Sequence, residues 1–205
     1  ELLALEAEVE ALRAQANDPA GDAIRDVRGD GRQQYLSGLT VEGRRILILV
    51  DASASMLGYT IVDAIRRRNQ AAATRLAAAK WRRTLAAADW MSAQIPATSQ
   101  FQILAFNTAV SAPHGSANGW LQARGGTDIN RAISGLRKVV PEGGTSLHAA
   151  FGAARALQPA PDAIYLITDG LPTQGARVQR GTVSGSERLS HFNQALSQLP
   201  RGVTV

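Results

Sequence analysis

The chain has 205 residues, 45% of them hydrophobic, which is enough for one domain with a full core plus a short extra segment and excludes a disordered composition. There is no cysteine, so disulfides and thiolate zinc sites are excluded. The net charge of +5 is scattered over Arg66-Arg67-Arg68, Arg82-Arg83, Arg137-Lys138, Arg177 and Arg180, and aromatics are only 5%; this reads as solvated helix faces, not as a nucleic-acid groove.

Residues 1–17 carry Leu2, Leu5, Val9 and Leu12 at three-four-three spacing with Glu1, Glu6, Glu8 and Glu10 between them, the seam of a coiled coil. Two heptads are too short to stand alone. They are expected to end a longer coiled-coil stalk, the alternative being a seam docked on the domain. No apolar run is long enough to span a bilayer and no signal-peptide pattern is present. The chain begins at Glu1 without a Met and is expected to be a fragment from which an anchor or signal was removed. Residues 18–34 read as a polar, Gly-containing linker, and residues 35–205 as the domain.

Tyr35-Leu36 and residues 39–41 predict a short lead-in strand broken by Gly38. Ile46-Leu47-Ile48-Leu49-Val50 predicts a strand buried on both faces, as in the centre of a parallel sheet. Residues 57–69 have a weak pattern, either an extension of the next helix or an insertion. Residues 70–94 are Ala-rich, and Leu76, Trp81, Leu85, Ala88, Met91 and Ile95 fall near helical spacing until Pro96. Residues 101–106 predict a second buried strand, and Ala109-Val110 a short edge strand. Residues 111–126 read as irregular, with Trp120 covering a neighbour. Thr127-Asp128 is expected to cap a helix with the stripe Ile129, Ile133, Leu136 and Val140. Thr145-Ser146 caps another, with Leu147, Phe151, Ala154 and Leu157. Residues 163–167 predict a third buried strand. Leu189, Phe192, Leu196 and Leu199 mark a last helix, and Val203-Thr204-Val205 the start of a truncated strand. This alternation predicts an α/β fold: a doubly wound, mostly parallel sheet with right-handed crossovers and helices on both faces.

Two strands run into an aspartate, at Val50-Asp51 and at Thr168-Asp169. In a parallel sheet both carboxylates lie at one edge, the edge where such sheets place ligands. Asp51, Ser53 and Ser55 alternate, so in an extended turn their oxygens can converge. Gly143-Gly144-Thr145 brings a further hydroxyl to a helix N-terminus, the glycines allowing close approach. One carboxylate with neutral hydroxyls makes a poor acid–base pair and suits a hard, oxygen-seeking cation. Gly125-Gly126-Thr127-Asp128 competes with Gly143-Gly144-Thr145 for the threonine role. Thr145 is preferred because it opens the helix just before the Thr168-Asp169 strand.

Asp51-x-Ser53-x-Ser55, Gly144-Thr145 and Thr168-Asp169-Gly170, in that order on alternating strands and helices, resemble the von Willebrand factor A domain and its metal-ion-dependent adhesion site, over residues 35 to 205. The resemblance implies that Ser53 and Ser55 coordinate a divalent ion, Mg²⁺ or else Mn²⁺ or Ca²⁺. It implies that Thr145 joins directly or through water, and that Asp51 and Asp169 hold coordinating waters. A carboxylate from an Asp or Glu of a protein partner then completes the shell. Neutral ligands leave the ion electrophilic toward that visitor. Ala54 stands where many relatives have Gly, residues 57–69 look longer than usual, and the family's C-terminal helix is not reached.

A narrower similarity joins Tyr35-Leu36-Ser37-Gly38-Leu39, Gly43-Arg44-Arg45-Ile46, Ser53-Ala54-Ser55-Met56-Leu57 and Thr168-Asp169-Gly170-Leu171-Pro172-Thr173 to bacterial A-domain proteins with a transmembrane helix and a coiled-coil segment. Some accompany proton-channel proteins of the ExbB/MotA type as a single-span partner. That implies the extracytoplasmic (periplasmic) head of a membrane-anchored homodimer; the alternative is a cytoplasmic adaptor in a multiprotein complex. A hydrolase using Ser53 or Ser55 with His114, His148 or His191 as base is the rival class. The Gly-x-Ser-x-Gly elbow, P-loop and dinucleotide fingerprints are all missing, so no catalysis is expected.

Overall fold

The computed structural model describes residues 40–177 and 181–205. The expected coiled coil (1–17), the linker (18–34) and residues 35–39 of the lead-in strand lie outside them.

The centre of the fold is β1 (Arg45–Asp51), whose residues from Ile46 to Asp51 are buried. No side chain from Ile46 to Val50 carries a polar atom, and both faces of the strand are covered, as that run requires. β2 (Gln100–Phe106) pairs with it in parallel, from Arg45 opposite Gln100 to Asp51 opposite Phe106. On the other side β5 (Ala163–Ile167) pairs in parallel, from Ile46 opposite Ala163 to Val50 opposite Ile167. The outer edge of β2 is paired antiparallel by two short strands. β3 (Val110–Ser111) meets its carboxyl end and β4 (Leu121–Gln122) its amino end. The sheet is therefore mixed but mostly parallel, in the order β3-β2-β1-β5 with β4 also on β2. A parallel bridge from Ala163 to Thr204 lies beyond β5, where the last strand was expected to start.

Alternate residues of β1 and β2 separate two cores. Ile46, Ile48, Val50, Phe101, Ile103 and Ala105 pack with Trp81, Ala88 and Met91 of α3 (Ala79–Ala93) and with Ile129, Ile133 and Leu136 of α4 (Thr127–Leu136). Leu47, Leu49, Leu104 and Phe106 pack with Leu147, Phe151 and Ala154 of α5 (Leu147–Ala156) and Ala195 of α6 (Gly185–Leu196). Each fully buried Leu, Ile or Phe contributes about 1.5–3 kcal/mol relative to an exposed one. Gln102 interrupts the second face, fully buried. Its amide donates to the carbonyls of Ser116 (2.9 Å) and Gly119 (2.6 Å) and accepts from Ile103 N–H (2.9 Å), so it carries the bulge between β3 and β4.

Several expectations need correction. Residues 40–41 are not a strand. Of the two alternatives for residues 57–69, extension of the next helix is excluded: they hold a separate helix, α1 (Ile61–Arg68), capped by Thr60, with Ile61, Val62 and Ile65 exposed. The Ala-rich segment is two helices, α2 (Ala72–Leu76) and α3, because Ala78 leaves helical geometry at ψ 131°. No Gly or Pro marks that break; tertiary contact holds it, Arg75 reaching the Pro141 carbonyl and Glu142. α4 is capped by Gly126, in left-handed geometry at φ 69°, so Thr127 and Asp128 form its first turn and not its cap. β5 is only half-buried from Tyr165 to Ile167, since beyond it lies a single bridge among the described residues. Leu189 and Leu196 of α6 are exposed; of the expected stripe Phe192 and Leu199 pack on the second core, with Ala195 beside them. Ser146 does cap α5 by accepting from Ala149 N–H (3.2 Å), and Trp120 packs on the second core with its indole N–H donating to the Pro159 carbonyl (2.9 Å).

Candidate metal centre

The carboxyl ends of β1 and β5 lie side by side in register, so Asp51 and the Thr168-Asp169 pair leave the sheet at one edge. Asp51 is fully buried. Its Oδ1 accepts from Ser53 N–H (2.8 Å), which turns the chain sharply after β1. Its Oδ2 accepts from the Thr168 hydroxyl (2.8 Å), which ties β1 to β5 at their ends. Ser53 itself is extended, whereas Ser55 sits in a 3-10 turn, Ala54–Leu57, anchored by buried Met56 and Leu57. The two hydroxyls therefore converge through a tight turn and not through the extended alternation expected from spacing.

A third segment closes over this turn. Ala54 N–H donates to the Gly143 carbonyl (3.0 Å) and Glu142 N–H to the Ala52 carbonyl (2.9 Å). Gly143 has φ +72°, and a Cβ on Gly144 would stand 2.8 Å from the Thr173 hydroxyl. Both glycines are thus needed for this approach. Thr145 is held from behind by the loop after β5. Its N–H donates to Thr173 Oγ1 (3.0 Å), and its carbonyl accepts from Thr173 and Gln174 N–H (both 3.0 Å).

The side-chain oxygens form one continuous chain. Thr145 Oγ1 donates to Ser53 Oγ (2.9 Å), Ser53 Oγ and Ser55 Oγ share a hydrogen bond of 2.8 Å, and Ser55 Oγ donates to Asp169 Oδ1 (2.9 Å). All five residues expected from sequence, Asp51, Ser53, Ser55, Thr145 and Asp169, are brought together. Thr127 is not. It is exposed beside β4, which pairs with the amino end of β2, and Ala123 N–H donates to the Ser99 carbonyl there (3.1 Å), at the opposite edge of the sheet.

The donor set is hard oxygen throughout, with two carboxylates and three hydroxyls. Among the described residues no three His, Cys, Asp or Glu side chains cluster as metal ligands. Neighbouring oxygens in an octahedral shell with 2.0–2.1 Å bonds stand about 2.8–3.0 Å apart. The contacts of 2.8 and 2.9 Å match that edge as well as they match hydrogen bonds. The residues present therefore fit a small dication. Burial raises the Asp51 pKa above its ordinary value, against the hydrogen bonds from Ser53 and Thr168, with the nearby Asp169 charge adding to the rise. A cation bound here would offset that cost.

Two contributors were not foreseen in these roles. Lys80, near the start of α3, donates to Asp169 Oδ2 and to the carbonyls of Ser55 (3.1 Å) and Gly58 (3.2 Å). Thr173 positions Thr145; its place after Thr168-Asp169-Gly170 was the only signal. Among the described residues, the hydrogen-bond partners of the Ser53 and Ser55 hydroxyls are Thr145, Asp169 and each other, and no histidine. His114 instead lies 3.8 Å from Asp128. Ser55 and Thr145 line a cleft of about 560 Å³, together with Tyr59, Ile61, Ile65, Leu171 and Arg188.

Compared with models of known protein families and with curated proteins, the chain matches none. The class that fold and site define is thus an α/β domain, with a mixed, mostly parallel open sheet flanked by helices, and a hydroxyl-rich centre at the carboxyl edge of its sheet. No helix among the described residues is long and apolar enough to cross a membrane.

Proposed function

We infer that this chain is a von Willebrand factor A-like domain, doubly wound, that uses its hydroxyl centre to bind a divalent cation and, through it, a carboxylate of a protein partner. One observation carries the reading: the unbroken Thr145–Ser53–Ser55–Asp169 chain of oxygens at the ends of β1 and β5. Ser53, Ser55 and Thr145 would hold the ion, and Asp51 and Asp169 would fix its waters. The bound ion supplies an electrophilic point for an incoming anion. The protein's own part is positional. Thr168 and Ser53 N–H fix Asp51, Thr173 fixes Thr145, and the Gly143-Gly144 loop closes the turn over Ser53.

The rim supports an acidic partner with apolar flanks. Ile61, Val62 and Ile65 are exposed on α1, Leu171 stands nearby, and Arg68 and Arg188 line the same cleft. In this reading the domain binds and does not catalyse; Asp169, the carboxylate that accepts from the Ser55 hydroxyl, is paired with Lys80. The stalk, the membrane-anchored homodimer and a channel partner of the ExbB/MotA type belong to the same proposal, with the cytoplasmic adaptor as its alternative; they rest on the sequence resemblance.

The test is titration of magnesium chloride into chelator-treated protein. One ion per chain is expected for wild type and none for Ser53→Ala. A wild type that takes up no ion sinks the reading. Capture of a protein partner that survives chelator would remove the carboxylate-bridge half of it.

A further inference from the structure

Lys80 is the one cation in contact with the hydroxyl centre among the described residues. Its side chain is 17% exposed, and its ammonium uses its donors on Asp169 Oδ2 and the carbonyls of Ser55 and Gly58. The Tyr59 ring centroid lies 5.8 Å away. The two oxygens of Asp169 are thereby divided: Oδ1 takes the Ser55 hydroxyl and Oδ2 takes Lys80. Lys80 also clamps both ends of the short stretch that carries Ser55. It is electrically part of the centre without being a ligand.

We propose that Lys80 is a built-in counter-ion that weakens the hold on a bare dication and strengthens the hold on the carboxylate that follows it. The inference rests on the metal-binding reading above. With Asp51 and Asp169 ionised the centre carries two negative charges, and Lys80 reduces this to one. A dication then leaves a net charge of +1, where a centre without Lys80 would be neutral. The bare ion loses attraction and the visiting anion gains it, so ion and carboxylate bind as a coupled pair. A unit charge about 6 Å from a dication changes its binding by about tenfold even at the dielectric of bulk water.

A purely structural lysine would not give effects of opposite sign, and that is what the test reads. Magnesium affinity is measured by calorimetry on the whole chain, in chloride and in acetate at matched ionic strength. Lys80→Met removes the charge and the donors, Lys80→Gln keeps a donor, and Lys80→Arg keeps the charge; circular dichroism checks that each folds. In chloride, Lys80→Gln and Lys80→Met bind magnesium about tenfold or more tightly than wild type. Acetate raises the magnesium affinity of wild type and Lys80→Arg more than that of the neutral variants. If the neutral variants bind magnesium equally or more weakly, or if acetate acts equally on all, the role given to Lys80 is wrong. If wild type and every variant fail to bind magnesium, the metal-binding reading itself fails.

Discussion

Replacing Ser53 by Ala removes the oxygen at the middle of the chain and nothing else. Ser53 is 1% exposed, and its hydroxyl contacts Ser55 at 2.8 Å and Thr145 at 2.9 Å. Ser55 keeps Asp169 as a partner, but the Thr145 hydroxyl, on a residue 5% exposed, loses the acceptor it donates to. Without metal the variant should lose about 1–3 kcal/mol, the cost of a hydrogen bond and an unsatisfied buried hydroxyl. With metal the difference widens. A ligand at one hundred times its dissociation constant stabilises the native state by about 2.7 kcal/mol. For a domain of this size that is a rise in Tm of about 5–11 °C. Thermal unfolding in chelator and in saturating magnesium therefore separates the two effects. Wild type should show the rise, and Ser53→Ala a lower Tm in chelator with little or no rise. A variant that keeps the full magnesium response would show that Ser53 does not share the ion.

Other outcomes follow from the same geometry. Gly144→Ala should cost about 1–3 kcal/mol and weaken metal binding, because its Cβ would lie 2.8 Å from Thr173 Oγ1 and 3.0 Å from Gln174 Cγ; urea unfolding and metal titration check both parts. Magnesium should bind more tightly than calcium. Calcium takes six to eight oxygens, often including bidentate carboxylates, whereas this reading gives the ion the three hydroxyls of Ser53, Ser55 and Thr145 with waters, which suits the octahedral shell of magnesium; equal or tighter calcium binding by calorimetry contradicts this. Asp51 titrates above its ordinary value when folded, so its stabilising share is fully present below 3.8 and is lost as pH rises through the raised value. In chelator, the Tm of Asp51→Asn minus that of wild type should therefore grow from pH 4 toward neutrality; a difference that shrinks over that range would reverse the assignment.

What was legible in the sequence follows from how each signal is written. The run Ile46-Leu47-Ile48-Leu49-Val50, short and rich in β-branched residues, reads as a strand covered on both sides, and Asp51 directly after it falls at the sheet edge. The same logic placed Asp169 after β5, and the Gly143-Gly144 pair brought in Thr145. The choice of Thr145 over Thr127 rested on element order; in the fold Thr127 follows β4, which joins the amino end of β2, away from Ser53. Lys80 was not legible in its role. A lysine in an Ala-rich helix, 25 residues after Ser55, looks like any solvated charge until the helix start is docked on the 3-10 turn. The break at Ala77-Ala78 was hidden for a related reason. Alanine favours helix, and it took Arg75 bound to the Pro141-Glu142 segment to show where the chain turns. Gln102 reads as an ordinary residue of a buried strand, because the carbonyls it serves, Ser116 and Gly119, become its partners only when the bulge folds back.

Anomalous diffraction from crystals soaked in manganese chloride reads the central claim most directly. The account predicts one manganese per chain, bonded to the hydroxyl oxygens of Ser53 and Ser55 with Thr145 beside it and Lys80 still on Asp169. Manganese elsewhere on the surface, or none in the cleft while the three hydroxyls stay bonded to one another, would contradict it.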